Sequence, residues 1–319
     1  MRGAVIGVGV IGSVHAAILK ERGELCAVCD IDASKLKKYA DIPVYTDFKT
    51  MTEAEKPDVV HICTPHYLHA EMIIFALSRN INVLCEKPLC IKKEDIPAIL
   101  EAEKSSKARL GVCLQNRYNK ENVFVKEYLK DKRVICAVGQ VCWHRTKEYY
   151  QSAKWRGKLR TEGGGVLINQ ALHTLDLLQY FAGMPEKITA SVSDLTLKDC
   201  IEVEDTAVIQ SVKGAGLTLY ASNGCAVDMP VLISVKTENE LIQILPGAVL
   251  INGVLQTPDG ESGTVRGKEC YGSSHEILIA DFYRSIENKT EFPINGEEAA
   301  KVVRLILSAY ESKGEPVDV

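Results

Sequence analysis

The sequence has neither an excess of positive charge nor an apolar run long enough to cross a membrane. Its 38 Lys and Arg against 42 Asp and Glu give a net charge of −4, so no basic surface for nucleic acid is predicted. The first residues lead straight into the apolar run Ala4-Val5-Ile6, without a charged stretch and a cleavable apolar segment. We therefore expect a cytoplasmic protein that binds neither nucleic acid nor membrane.

The cysteines lack the pattern of a disulfide framework or a zinc site. There are 11 of them, an odd number, and most lie in apolar runs such as Val59–Cys63, as reduced core thiols do. Cys26 and Cys29 form a lone C-x-x-C, but no second pair follows at zinc spacing. No metal site is therefore expected.

The order of the predicted elements indicates two domains, for which 319 residues are sufficient. Up to residue 118, short apolar runs alternate with helical patterns, which predicts a Rossmann-type, doubly wound parallel sheet. From residue 119 onward, strands follow one another without intervening helices, which predicts an open, mainly antiparallel sheet. We expect an α/β protein with domains 1–118 and 119–319 and a cleft between them.

A glycine-rich loop follows the first predicted strand. Gly7-Val8-Gly9-Val10-Ile11-Gly12 opens a helical pattern, the context in which G-x-G-x-x-G binds a dinucleotide. Gly7 permits the tight turn, Gly9 lets the pyrophosphate approach the backbone, and Gly12 lets the helix pack on the strand. Val10 and Ile11 belong to the same predicted cofactor site.

Asp30 ends the second predicted strand, where a carboxylate accepts hydrogen bonds from the adenosine ribose and repels a 2′-phosphate. No basic residue occupies positions 30–34. NAD is therefore predicted in preference to NADP. Asp32 is the competing candidate, although it suits the start of the next helix better.

Three further segments complete a pattern that resembles a known family. They are Thr64-Pro65 after a strand, Glu86-Lys87-Pro88 after another, and the run Gly163-Gly164-Gly165 with Asn169, His173 and Asp176. With the glycine loop, the chain resembles the glucose-fructose oxidoreductase / inositol dehydrogenase / rhizopine catabolism family over nearly its whole length. The resemblance implies an NAD-dependent sugar or cyclitol dehydrogenase, assembled as a homodimer or homotetramer through the open sheet. It also implies a cofactor site that includes Thr64, Pro65, His66, His69, Glu86 and Lys87.

By this resemblance, Lys87 and His173 contact the substrate hydroxyl, and one of them takes its proton. Lysine must be partly neutral to act as a base, and burial beside a positive nicotinamide ring would favour that form. Otherwise Lys87 stabilises the alkoxide and His173 is the base. Both alternatives stay open, because many family members carry Asp where this chain has Asn169.

The helical pattern around His173 also points to a site. Asn169, His173 and Asp176 are spaced i, i+4 and i+7 and would share one face of a helix. His66 stands where Asn is frequent in the family, and we favour a structural or cofactor-lining role for it over catalysis. For His61, His69, His144 and His275 a structural role is preferred.

The segment from His144 to Arg160 mixes aromatic rings with arginines, which suits a polyhydroxylated ring or an anionic group. Predicted substrate contacts are Tyr149, Trp155, Arg156, Asn169, Asp176 and, by resemblance, Arg117. Two other functions fit the same residues. One is a redox-neutral glycoside hydrolase or lyase that uses NAD transiently, and the other is a non-catalytic sensor of NAD or sugar.

Overall fold

The computed structural model describes residues 1–258 and 274–319. Contacts between Cα atoms divide these residues into two compact units. The first unit holds residues 1–90, 94–115 and 274–299, and the second holds 91–93, 116–258 and 300–319. The division into functional domains at residue 118 stays a prediction.

The first unit contains a six-stranded sheet whose strands all run parallel. Its order is β3-β2-β1-β4-β5-β6, which confirms the Rossmann-type prediction. The strands are β1 (Gly3–Ile6), β2 (Leu25–Cys29), β3 (Val44–Tyr45), β4 (Val59–Ile62), β5 (Asn82–Cys85) and β6 (Leu110–Val112). β1 is a continuous apolar run and β4 is apolar except for His61, because both faces of these central strands are buried.

Helices lie along the first unit's chain between its strands, as the alternating pattern predicted. They are α1 (Val10–Glu21), α2 (Ala33–Leu36), α3 (Phe48–Glu55), α4 (His69–Leu77), α5 (Asp95–Ser105) and the later α10 (Ser274–Glu287). In α4 the buried residues include Met72, Ile73 and Ala76, one apolar face at helical spacing. Residues 66–68, directly before α4, form a 3₁₀ turn, a common start for an α-helix.

The second unit contains a nine-stranded, mainly antiparallel sheet, which confirms the second part of the fold prediction. Its order is β14-β13-β12-β11-β7-β10-β9-β8-β15. The strands are β7 (Val134–Cys142), β8 (Pro185–Ser193), β9 (Thr206–Gly214), β10 (Gly216–Ser222), β11 (Leu232–Thr237), β12 (Leu241–Leu245), β13 (Ala248–Ile251), β14 (Val254–Gln256) and β15 (Val317–Asp318). Its helices are α6 (Lys120–Tyr128), α7 (Lys147–Gln151), α8 (Leu159–Glu162) and α9 (Leu172–Ala182), and α11 (Gly296–Ser312) continues into it from the first unit.

One pair of strands in this sheet runs parallel: β10 pairs with β7 in that sense, and every other pairing among the described strands of the sheet is antiparallel. Helix α9 packs on β7 at Gly139, where an added Cβ would lie 2.8 Å from Thr174 and 3.1 Å from Leu178. The glycine therefore allows the close approach that seats α9 on the sheet.

Within residues 1–258 and 274–319, no helix is both long and apolar enough to span a bilayer. The ten cysteines in these ranges are free thiols, and most are buried. Cys270 lies outside the described residues.

Candidate active site

The glycine loop lies where the strand order of the first sheet reverses, between β1 and β4. This is the place where open α/β sheets bind ligands. Gly7 has φ +86°, and its N–H donates to the carbonyl of Cys29 at 2.7 Å. A Cβ on Gly12 would lie 1.8 Å from the Gly7 oxygen, so Gly12 is required by the fold itself.

Neither the backbone conformation nor the packing requires a glycine at position 9. It has φ −67° and precedes α1 without a side-chain cap, and a Cβ there would meet no described atom within 4 Å. Val10, the first residue of α1, is 77% exposed. The first backbone N–H groups of a helix have no partner within the helix, and Gly9 leaves room beside them for an anion.

Asp30 braces the glycine loop. It is 6% exposed, and its carboxylate accepts hydrogen bonds from the N–H of Val8 at 3.0 Å and of Asp32 at 2.9 Å. A carboxylate has about four acceptor positions, so capacity for ribose hydroxyls remains. Asp32 caps α2 by accepting from the N–H of Ser34, in line with the role that the sequence favoured.

A basic residue does reach Asp30, although positions 30–34 hold none. Lys35, in α2, places Nζ 3.4 Å from both oxygens of Asp30. Its side chain is 45% exposed, so the ion pair is weak in free energy. The structural preference for NAD over NADP therefore depends on the carboxylate of Asp30 and not on an absence of basic residues near it.

His69 joins the segments that follow β4 and β5. Its Nδ1 lies 2.7 Å from the carbonyl oxygen of Pro88, and its Nε2 lies 2.9 Å from that of Thr64. The ring is fully buried, and His66 beside it is 5% exposed. Burial lowers the pKa of His69, so the ring is neutral and donates to only one of these two carbonyls. Its position between Thr64-Pro65 and Lys87-Pro88 fits the structural role that the sequence favoured.

Lys87 follows β5 and Glu86, at the same edge of the sheet as the glycine loop, because all strands of this sheet run parallel. Lys87 is partly exposed, whereas Glu86 is 6% exposed. Glu86 Oε1 lies 3.1 Å from Nε2 of His15 and 3.2 Å from Nε2 of His275. Its Oε2 accepts from the N–H of Lys87 at 3.2 Å.

Burial alone would raise the pKa of Glu86, but the hydrogen bonds from His15 and His275 outweigh it and hold the pKa well below its ordinary range. The carboxylate is therefore ionised and accepts both Nε2–H groups. These three side chains also satisfy the spacing of a metal site. In the hydrogen-bonded arrangement, however, each nitrogen carries a proton where a metal would need a lone pair.

The ionised Glu86 sets the proton positions in a longer chain of buried groups. His15 donates from Nε2, and since burial lowers its pKa the ring is neutral and accepts at Nδ1. His61 must then donate from its Nδ1, 2.9 Å away. Burial holds the pKa of His61 well below 6.5, so its Nε2 accepts from the hydroxyl of Tyr283 at 3.0 Å. His15, His61 and His275, none of which has a catalytic assignment, thus form one network around Glu86.

In the second unit, α9 begins at Leu172, and Asn169 lies on the turn before it. The prediction that Asn169, His173 and Asp176 share one helical face is therefore wrong for Asn169. The N–H of Ala171 bonds to Val166, five residues back, which interrupts the helical register. His173 is in α9 and partly exposed, and Asp176 is 1% exposed.

Asn169 is held by a carboxylate that the sequence did not single out. Its Nδ2 donates to Oε1 of Glu162 at 2.5 Å, and Glu162 Oε2 accepts from the N–H of Gly157. Glu162 is 1% exposed. Since Nδ2 faces Glu162, the amide is oriented with Oδ1 as its remaining acceptor. Only the position of Glu162 directly before the glycine run hinted at this role.

Asp176 and Arg117 are paired with each other. Nε and Nη2 of Arg117 donate to the two carboxylate oxygens at 2.7 and 2.6 Å, and Gln179 donates to Oδ1 at 3.0 Å. Arg117 is 7% exposed and also lies over the ring of Tyr180, 4.3 Å from its centroid. This bidentate pair ties α9 to the turn at residues 115–118.

The remaining predicted substrate residues lie together. The guanidinium carbon of Arg156 is 4.4 Å from the centroid of the Tyr149 ring and 5.5 Å from that of Trp155. Gln170, next to Asn169 in the chain, donates from Nε2 to the Tyr149 hydroxyl at 3.0 Å. The segment from His144 to Arg160 is thereby attached to the turn that carries Asn169.

Comparisons with known proteins agree with this arrangement. Residues 1–114 match the model of an oxidoreductase family with an NAD-binding Rossmann fold, and residues 133–239 match the GFO/IDH/MocA C-terminal domain. D-glucoside 3-dehydrogenase of Escherichia coli is 29% identical over 98% of this chain and 95% of its own length. Inositol 2-dehydrogenase of Salmonella typhimurium is 33% identical over 40% of this chain and 41% of its own.

A solved structure shows the same fold. The WlbA dehydrogenase of Bordetella pertussis, in complex with NADH and UDP-GlcNAcA, superposes with a TM-score of 0.85 at 24% identity. The match covers 100% of this chain and 98% of that one. The cofactor of this chain is NAD, as the family model states for the first unit.

Replacing Gly9 by valine is expected to separate cofactor binding from folding. A Cβ at this position meets no described atom within 4 Å, while the valine side chain would fill the space expected for the pyrophosphate. NAD affinity should fall by about 2–4 kcal/mol, roughly 30- to 1,000-fold, with an unchanged melting temperature. Calorimetric titration with NAD measures the loss. The matched variant Gly12→Val should instead fail to fold, and full NAD affinity in Gly9→Val would contradict the assignment.

The buried imidazoles predict a loss of stability in acid. Burial holds the folded-state pKa values of His15 and His61 below the ordinary value of 6.5, so below that pH the unfolded chain binds protons that the folded chain does not. Stability is then full above pH 6.5 and falls as the pH drops, by up to about 1.4 kcal/mol per imidazole near pH 5.5.

Urea unfolding across this pH range measures the slope of unfolding free energy against pH. His61→Gln should reduce the slope by about one proton, whereas His144→Gln, at an exposed site, should leave it unchanged. An unaltered slope in His61→Gln would show that the network titrates differently.

Proposed function

Because the chain belongs to the glucose-fructose oxidoreductase / inositol dehydrogenase / rhizopine catabolism family, we propose that it oxidises a secondary alcohol of a sugar, cyclitol or sugar derivative with NAD. The observation that carries the proposal is the position of Lys87. It follows β5 at the sheet edge where the glycine loop follows β1, so a cationic, proton-carrying group lies at the dinucleotide edge. The E. coli relative, aligned over 98% of this chain, is a glucoside dehydrogenase.

In the reaction, the carbon loses a hydride to the nicotinamide ring and the hydroxyl loses a proton, giving ketone, NADH and a proton. The protein's contribution is to orient the alcohol and to hold that proton. Lys87 and His173 are the two groups proposed for these roles, and either assignment is chemically consistent. Glu86, the residue before Lys87, is ionised. Its fixed negative charge favours the positively charged nicotinamide ring of oxidised NAD.

Asn169 takes part as an uncharged acceptor. Its Oδ1 is directed by the bond from Nδ2 to Glu162, so it suits a substrate hydroxyl as hydrogen-bond donor. Glu162 is a positioning residue in this scheme, since it acts through Asn169. Tyr149, Trp155 and Arg156 are proposed substrate contacts, while the Arg117–Asp176 pair, whose bonds are internal, holds α9 and thereby His173.

The test is NADH formation, followed by absorbance, when NAD meets a panel of sugars, cyclitols and sugar nucleotides. Lys87→Met and His173→Gln should each lower kcat by about 10²- to 10⁴-fold, and Glu162→Gln should lower kcat without altering its pH profile. Lys107→Met, at an exposed site, is the matched control. If Lys87→Met or His173→Gln also removes the pH dependence of kcat, the residue replaced in that variant is the base.

Two results would favour the other functions. Cleavage of a glycoside without accumulation of NADH would indicate redox-neutral chemistry with transient oxidation. NAD binding with no turnover of any panel member, and with no effect of Lys87→Met, would indicate a sensor. Both Lys87 and His173 are present, which favours the dehydrogenase, since a sensor needs no proton acceptor.

We also propose a homodimer or homotetramer formed through the open sheet. Adjacent strands β7, β10 and β9 expose Val138, Tyr220 and Val208 by 43%, 42% and 41%. Exposed apolar residues on central strands are typical of an interface. The free thiols of the described residues suit the cytoplasm as compartment, which cell fractionation checks.

Sedimentation velocity tests the assembly. The unmodified chain is expected to sediment as a dimer or tetramer at micromolar concentration, and Tyr220→Arg should shift it towards the monomer because the charge would be buried. Arg133→Glu, at an exposed site off this face, is the control. A monomeric unmodified chain would refute the proposal.

A further inference from the structure

Five side chains of the second unit alternate aromatic rings and guanidinium groups. Arg145 lies 4.8 Å from the ring centroid of Trp143 and 5.4 Å from that of Tyr149, and Arg156 follows on Tyr149 and Trp155 at 4.4 and 5.5 Å. We call Trp143, Arg145, Tyr149, Arg156 and Trp155 the Arg–aromatic column. Stacking on rings holds the planar guanidinium groups in place.

The two cations of the column differ in how their charge is compensated. Arg145 forms an ion pair with Asp228 at 3.0 Å. Arg156 donates to the carbonyl of Tyr149 and to the hydroxyl of Ser152, and within the described residues it has no carboxylate partner. A partly buried guanidinium with only neutral acceptors favours the approach of an anion.

Unused hydrogen-bond donors lie on the same side chains. The Nε–H of Arg156 is buried without an acceptor in the described part of the chain, which lowers the stability of the unliganded arrangement. The Tyr149 hydroxyl accepts from Gln170, so its own proton is left to donate. A ligand that brings oxyanion acceptors would therefore gain charge-assisted bonds that the protein itself does not supply.

Hydrogen bonds place the column beside Asn169. Gly157, the residue after Arg156, donates to Glu162, and Glu162 accepts from Asn169. On the other side, Tyr149 is bonded to Gln170, the neighbour of Asn169. Arg156 thus lies two hydrogen bonds away from the side chain proposed to accept from the substrate hydroxyl, within a single compact unit.

We infer that the substrate carries an oxyanion, a carboxylate or a phosphate, that binds Arg156 with help from the Tyr149 hydroxyl. The faces of the tryptophan rings cover its apolar C–H surface. Arg156 is then a specificity-determining residue that selects a sugar acid or sugar phosphate over the neutral sugar. The inference rests on the proposed function and narrows its substrate class.

The chain offers a direct readout, because its only two tryptophans are both members of the column. Tryptophan fluorescence is measured in the NADH-loaded protein while neutral sugars, their uronic acids and their phosphates are titrated at fixed ionic strength. Saturable changes are expected with anionic members and not with their neutral counterparts. Uronic acids and sugar phosphates are titrated separately. The series that changes the fluorescence shows whether the bound oxyanion is a carboxylate or a phosphate.

Arg156→Gln should weaken the binding of the anionic ligand roughly 10- to 100-fold. Arg156→Lys should bind with an affinity between those of the unmodified chain and Arg156→Gln, because lysine keeps the charge but lacks the forked guanidinium group. Arg160→Gln, an exposed arginine four residues later, should bind as the unmodified chain does. NAD affinity, which depends on the first unit, checks that each variant is folded.

Equal responses to neutral and anionic members, no response to any, or unchanged binding in Arg156→Gln would each overturn the inference. The hydride-transfer assay distinguishes this failure from that of the proposed function. NADH formed equally well from neutral sugars would remove the anion requirement and leave the dehydrogenase intact. Anion binding at Arg156 without NADH formation would support the inference and remove the dehydrogenase.

Discussion

The buried carboxylate of Glu86 organises a network of histidines in the interior of the first unit. An ionised carboxylate at this depth is stable only with several donors, and His15, His275 and the Lys87 N–H supply them. The consequence extends through His61 to Tyr283, because each ring must present a donor on one side and an acceptor on the other. Residues from β4, β5, α1 and α10 are thereby held in one arrangement.

Much of the fold and part of the candidate site were predictable from the sequence, because local signals suffice for them. The glycine spacing directly after an apolar run predicted the loop, and the change from alternating elements to successive strands predicted two sheets. The family motif placed Lys87 after a strand. These features depend on neighbours within about twenty residues, where periodicity and turn chemistry carry information.

The rest depends on contacts that sequence spacing does not encode. His15 and His275 are far apart in the chain but share one acceptor, so no local pattern marks them as partners. The i, i+4, i+7 spacing suggested one helical face, yet the register slips at Ala171 and places Asn169 on a turn. Lys35 lies one position beyond residues 30–34, and its place in α2 brings Nζ back to Asp30.

His69 has a consequence of a different kind. Its two nitrogens lie 2.7 Å from a carbonyl of the chain after β5 and 2.9 Å from a carbonyl of the chain after β4, so one buried ring fills the space between the two segments. A dinucleotide that displaced Thr64 would press on this ring, and the ring on the peptide next to Lys87. The proposed cofactor site and the proposed proton-carrying lysine would then sense each other through a side chain that lies between them.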